Sequence, residues 1–283
     1  MTNEESIKKI PLPPQAGGQM KKGLSILFLA ATIAYSGIGA FGQTYTQPRE
    51  VPIDRLVRQT FPQFYDRSNS YPALIPESFF PIGWSKDGKF AYYSEPVDEA
   101  CGCYYAYLAI QDLRTDKVIW EFKYDQGDDT DPKTGKILGS GNMDELWKKN
   151  KKLFSEKLAE NGIVASRVVM HNKTFSTAGT SYTAKSTKKM GQNADGGEER
   201  VDLYTVSLRS TKLGTKTVFT SEDHTKDDYW FMLDAGLIGA IKSPYENRVA
   251  LIAIEAMKGY EGPPHTAQIR VVGSDLTSGF SKK

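Results

Sequence analysis

The chain has 283 residues, 25% charged and 39% hydrophobic, which is ordinary for a globular protein and enough for one large domain or two small ones. Its formal net charge is +2, and Lys8, Lys9, Lys21 and Lys22 against Glu4 and Glu5 place that whole surplus in the first 42 residues. The remainder is formally neutral, so it lacks the basic excess that neutralises phosphates, and nucleic acid is not an expected partner.

Residues 20–42, MKKGLSILFLAATIAYSGIGAFG, have the order of a secretory signal. Lys21 and Lys22 make the positive start, Leu24 to Ala34 the apolar stretch, and Ala40-Phe41-Gly42 the small-x-small cleavage site. The run from Leu24 to Phe41 is marginal for a membrane span and carries Thr32, Ser36, Gly37 and Gly39. The expectation is a cleaved signal, no stable membrane anchor afterwards, and a periplasmic or secreted address. Residues 1–19 are polar and form no recognisable element, so translation is expected to begin at Met20, with 1–19 an untranslated leader.

Residues 43–79 hold Pro48, Pro52, Pro62, Pro72 and Pro76 and read as an extended lead-in, with a short helix over Ile53 to Thr60. A single β-rich domain is expected over 80–283. It opens with antiparallel strands at about 80–85, 89–95, 103–112 and 117–123. Asp87-Gly88 supplies the first turn and Arg114-Thr115-Asp116 the last. Between the second and third strands the connection Glu95 to Ala100, with Asp98 and Glu99, runs into Cys101-Gly102-Cys103, which holds the chain's two cysteines.

The acidic stretch 125–135, DQGDDTDPKTG, holds Asp125, Asp128, Asp129 and Asp131. A solvated turn is the plain reading. These four are weak calcium candidates, because the helix-loop-helix spacing and its closing Glu are missing. Met143 to Asn161 is the clearest helix, with Asn142 as N-cap, Glu145 three residues on, and Gly162 as the stop. Leu146, Trp147, Leu153, Phe154 and Leu158 gather on one side of it. Residues 163–175 read as a strand, and 176–200, rich in Ser, Thr, Gly, Lys and Asn, as a mobile loop or ragged hairpin. Val201 to Leu208 and Thr215 to Thr220 make another strand pair. Ser243 to Ala250 echoes Ser85 to Ala91, and 248–254, RVALIAI, is apolar on both faces and should be the buried centre of its sheet.

The stretch Trp84-Ser85-Lys86-Asp87-Gly88-Lys89-Phe90-Ala91 resembles a blade of a TolB-type β-propeller, and Leu203 to Thr220 is similar. The resemblance implies four-stranded antiparallel units, of which only about three fit, against about 4–8 in closed propellers. The signal segment, the SxDG hairpin, the mid-chain helix and the loop Gly259 to Pro263 also resemble a family of predicted secreted bacterial proteins of unknown function. The fold expected is therefore mainly β, in antiparallel blade-like meanders that form a partial propeller or, alternatively, a two-sheet sandwich. Its core is expected as two hairpin-built sheets, one on each side of the amphipathic helix.

No GxSxG elbow, P-loop or HExxH occurs in the sequence. No cofactor is expected, and a non-catalytic binding module is the first functional reading, with a cell-envelope protein, peptide or glycan as partner. The densely placed tyrosines of the first strands read as packing, or as an aromatic face for a sugar or peptide. The alternative is an envelope redox or metal-binding protein built on Cys101-Gly102-Cys103. That pair could form a strained disulfide, remain as free thiols, or serve metal or redox chemistry. If the two partial repeats are symmetric, their long connections share a rim. Asp98, Glu99, Cys101 and Cys103 would then lie near Tyr260, Glu261 and His265, a set suited to a soft or borderline metal.

Overall fold

The computed structural model describes residues 43–65, 73–98, 102–192, 199–222, 232–260 and 262–282. The signal segment and leader expected over 1–42 lie outside them, and all described residues belong to the unit Ala40–Lys283.

The chain is mainly β, as its alternating patterns predict. In order it forms α1 (Asp54–Thr60), a 3-10 turn (Pro62–Phe64), β1 (Leu74–Pro76), β2 (Ser78–Trp84), β3 (Lys89–Glu95), β4 (Tyr105–Asp112) and β5 (Lys117–Asp125). Then come α2 (Met143–Glu160), β6 (Val164–Ala165), β7 (Met170–His171), β8 (Thr174–Thr177) and β9 (Thr180–Gln192). The rest is β10 (Glu199–Ser210), β11 (Gly214–Thr220), β12 (Met232–Lys242), β13 (Arg248–Met257) and β14 (His265–Asp275). Three sheets result: a helix-side sheet β5-β4-β3-β2-β6, a central sheet β1-β14-β13-β12-β7, and a far sheet β11-β10-β9-β8. All neighbours pair antiparallel except β1 and β14, which run parallel.

Face-by-face burial gives the order of layers. Phe80, Ile82, Tyr93, Leu108 and Ile110 on one face of the helix-side sheet pack on Leu146, Trp147, Phe154 and Leu158 of α2. The opposite face sends Phe79, Trp84, Phe90 and Tyr92 against Ile252, Ile254 and Val271 of the central sheet. The central sheet's other face packs Val249, Leu251 and Ala253 on Tyr182, Tyr204, Val206 and Leu208 of the far sheet. The period-two alternation of β13 thus feeds two cores at once, which is why its sequence is apolar on both faces. The helix lies on the outer face of one sheet and not between two, correcting the expected arrangement. Its apolar side is narrower than predicted as well: Leu153 is 36% exposed, whereas Met143 is buried.

Helix α2 starts as its sequence dictates. The Asn142 side chain accepts the Glu145 N–H at 3.0 Å, and Glu145 Oε2 accepts the Gly141 N–H at 3.0 Å. In the lead-in the expected short helix forms as α1, and β1 is a strand not expected from the sequence. α1 packs Val57 into the core between the helix-side and central sheets, and β1 extends the central sheet.

Two predicted segments differ. Residues 163–175 form no single strand, but the stubs β6 and β7 in different sheets and the start of β8. The edge of β2 that β6 would follow is interrupted by Pro81, which has no N–H, and is used further on by the Val51 N–H, which donates to the Phe79 carbonyl at 2.8 Å. Of the two readings of 176–200, the described residues take the hairpin and not the loop: β9 pairs with β8, and with β10 from Tyr182↔Ser210 to Gln192↔Glu199 across a bulge at Val201–Leu203. Threonine is a good strand residue, and Thr180, Tyr182 and Ala184 alternate inward.

The partial repeat is visible in the topology. β2, β3, β4 and the edge stub β6 correspond to β12, β13, β14 and the edge stub β7. The Leu113 N–H donates to Gly88 O at 3.0 Å, and the Leu276 N–H to Asn247 O at 2.8 Å, at matching turns. Both stubs approach a bulged glycine: a Cβ on Gly83 would lie 2.1 Å from Val164 O, and one on Gly239 2.7 Å from His171 O.

β1 covers only Leu74↔His265 to Pro76↔Ala267 of the outer edge of β14. Beyond it, side chains from the helix-side sheet and its link take over. Glu77 accepts the Ile269 N–H at 3.3 Å, the Gln111 amide donates to Val271 O at 3.0 Å, and Asp116 accepts the Gly273 N–H at 2.6 Å. Alternate main-chain groups of a bare edge are thereby satisfied without a strand.

Candidate functional site

Glu99, Cys101 and Glu261 lie outside the described residues. Cys103 is disulfide-bonded. Asp98 lies with Asp125 beside Tyr105, whose phenol is raised by burial first and then by those two carboxylates. His265 opens β14. Its Nδ1 accepts the Gly259 N–H at 3.0 Å, its own N–H donates to Ala73 O at 2.7 Å, and its ring meets Phe64 edge-on. Tyr260 is 58% exposed.

The acidic turn is organised by local bonds. Asp125 Oδ1 accepts the Gly127 N–H at 2.7 Å, and Asp131 Oδ1 the Lys133 N–H at 2.8 Å. Asp129 meets Tyr124 and, at 3.7 Å, Lys149, while Asp128 is exposed. Among the described residues no group of three His, Cys, Asp or Glu side chains could hold a metal ion.

The tyrosines divide between cores and edges. Tyr92 and Tyr93 point to opposite faces of β3 and are buried there. Tyr104 donates to Glu95 Oε1 at 2.9 Å and meets the Tyr93 hydroxyl at 2.5 Å, and Tyr107 donates to Glu121. Packing, not an open aromatic platform, accounts for Tyr92 and Tyr93.

A cleft among the described residues lies elsewhere. It is a groove of about 820 Å³ whose walls are Thr46–Pro52 of the lead-in and Ala165–Met170 of the crossing between β6 and β7. Pro81 and Ile82 of β2 make its floor, with Leu56 beside them. Tyr45 and Gln43 hold the first wall against the second through bonds to Ile163 O at 2.5 Å and Ala165 O at 3.2 Å. Val51, Leu56, Val168 and Met170 are half-buried against the core beneath. Arg49, Glu50 and Arg167 are exposed, as is Val169 at 57%. Neither arginine has an ion-pair partner among the described residues. Among the described residues no aromatic side chain lines the groove. Sequence reasoning missed it because each wall reads as ordinary chain, one as a proline-broken lead-in and the other as part of a strand. The available signal was the polar pair Ser166-Arg167 interrupting an apolar run.

No family model, curated protein or solved structure matches the chain. Among the described residues no helix is long and apolar enough to cross a membrane.

Proposed function

We propose that this is a periplasmic or secreted, non-catalytic binding protein that engages a cell-envelope protein or peptide through the groove between Thr46–Pro52 and Ala165–Met170. The observation that carries the reading is the groove itself: about 820 Å³, with apolar half-buried side chains beneath and, at its walls, two arginines without an ion-pair partner among the described residues. The signal-like segment 20–42 and the disulfide at Cys103 support an oxidising compartment outside the cytosol. A glycan is the weaker partner, because sugar sites favour aromatic faces and the described lining has none.

Fractionation tests the address, with the processed protein expected in the periplasm or medium. A photo-crosslinking residue at Val169 tests the site. An envelope component should be captured there and lost on Ser166→Trp. The same capture from Lys148, on the exposed side of α2, would sink the reading.

The disulfide at Cys103 keeps a redox reading alive as the second choice. Equilibration with glutathione buffers distinguishes it. A bridge that stays oxidised across the whole physiological range of the couple serves structure only.

A further inference from the structure

The second wall of the groove behaves as a strand that has lost its neighbour. From Arg167 to Met170 the residues alternate exposed, half-buried, exposed, half-buried. Val168 and Met170 reach the core, while Arg167 and Val169 face out. That is the period of a pleated chain with one face covered. The Ser166 N–H donates to Ile82 O at 3.2 Å. Past it, the main-chain groups of Arg167, Val168 and Val169 form no hydrogen bond among the described residues.

The flanking stubs are already sheet edges: β6 ends the helix-side sheet, and β7 ends the central sheet. The segment between them is therefore an open edge bordered by a cleft of about 820 Å³. A ligand that presents main-chain donors and acceptors at strand spacing would complete these groups, as added strands do elsewhere. Arg49 and Arg167, one on each wall, outnumber Glu50 and favour a carboxylate on that ligand.

We infer that the groove takes an extended polypeptide segment bearing a carboxylate, paired through its main chain to Arg167–Val169. The inference rests on the groove being the ligand site. Alternate amides of the bound peptide point at the wall, and the intervening ones point away. Alternate side chains lie over Val169 and the apolar floor, which sets a preference for apolar residues at every second position.

Panning a random heptapeptide display library against the purified chain, with an oligosaccharide array in parallel, tests the inference. Peptides carrying Asp, Glu or a free C-terminus should be selected, and Arg49→Ala with Arg167→Ala should weaken them about tenfold. N-methylating every second peptide amide in one phase should cost about tenfold or more, and in the other phase less than roughly threefold. Equal tolerance of both phases overturns the main-chain pairing. Glycans captured in place of peptides, and released by Ser166→Trp, overturn the peptide but leave the groove as a ligand site. Binders of either class that survive both Ser166→Trp and Arg167→Glu overturn the groove as well, as does the selection of no binder at all. Circular dichroism and thermal midpoints establish that each variant is folded; Ser166 and Arg167 are exposed, so their side chains are not needed for the core.

Discussion

Glu77 reaches from the link between β1 and β2 to the Ile269 N–H, 3.3 Å away, and so sets a carboxylate against a strand edge inside the protein. Burial pushes Glu77 up to about 7, and nearby Glu255 adds to the rise, against the lowering hydrogen bonds from Ile269 and Ser94. Further along the same edge, burial moves Asp116 up to about 6 against the bonds from Gly273 and Gln111. Asp116 as a whole residue is exposed, so water screens it, and buried Glu77 carries more of the consequence.

A raised carboxyl binds its proton more tightly in the folded chain, so stability falls as pH rises from the ordinary value of 4.5 through about 7. Two other groups act in the opposite sense. Arg114 holds Asp112 at about 2, and hydrogen bonds from Thr277 and Ser278 bring Asp275 to about 2 although burial opposes them. Their contribution is present above the ordinary 3.8 and lost as pH falls toward about 2. The thermal midpoint should therefore peak at about pH 4, where the two windows meet, and fall on either side. Glu77→Gln keeps an acceptor for Ile269 without the charge. It should stabilise the protein by about 2 kcal/mol at alkaline pH and flatten that limb of the profile. Parallel midpoints for the two proteins between acid and alkaline buffer would refute the assignment.

Gly83 and Gly239 should be the least replaceable positions on their strands. An alanine Cβ at Gly83 would meet Val164 O at 2.1 Å, and at Gly239 His171 O at 2.7 Å. Both contacts are with main chain, which cannot swing aside. Gly83→Ala should cost about 2–4 kcal/mol in denaturant unfolding, and Gly239→Ala somewhat less. A neutral Gly83→Ala would mean that β6 separates freely from β2.

The helix face offers a contrast within one side chain. Trp147 packs against Tyr93 and Phe154, yet its buried indole N–H has no hydrogen-bond partner among the described residues. Trp147→Ala should cost about 3–5 kcal/mol through the cavity it opens. Trp147→Phe removes the orphaned donor together with some volume, and the two effects should offset to below about 1.5 kcal/mol. Equal losses from the two variants would show that the indole nitrogen is satisfied.

Asn142 should matter through one bond. Its side chain accepts the Glu145 N–H at 3.0 Å, so Asn142→Ala should cost about 1 kcal/mol, while Asn142→Asp should retain the cap. The paired unfolding curves check this directly.

Much of the fold was legible because its signals are local. Asp87-Gly88, the Asn142 cap, the helix stripe and the two-faced RVALIAI run each announce their own element. The repeat was readable too, because Ser85 and Ser243 open equivalent hairpins, each with a side-chain oxygen that accepts a main-chain N–H. β9 was hidden because its inward positions include Thr180 and Ala184, which carry little hydrophobic signal, and its outward face is lysine and serine. The groove was hidden for a different reason. Its walls, Thr46–Pro52 and Ala165–Met170, are far apart in sequence, and neither is unusual until β2 brings them together. The seal on the β14 edge is equally non-local, since Glu77, Gln111 and Asp116 share no motif.

The parallel pairing of β1 with β14 joins the first strand in sequence to the last. Assembly of the central layer therefore waits on its latest-made piece, however early the others emerge. Until His265–Asp275 is delivered, Leu74–Pro76 has no ladder, and the apolar face of β13 that shares a core with the helix-side sheet is only partly enclosed. Such sequence-distant closure slows the search for the native state, and it keeps the newly made polypeptide pliable until its final strand arrives.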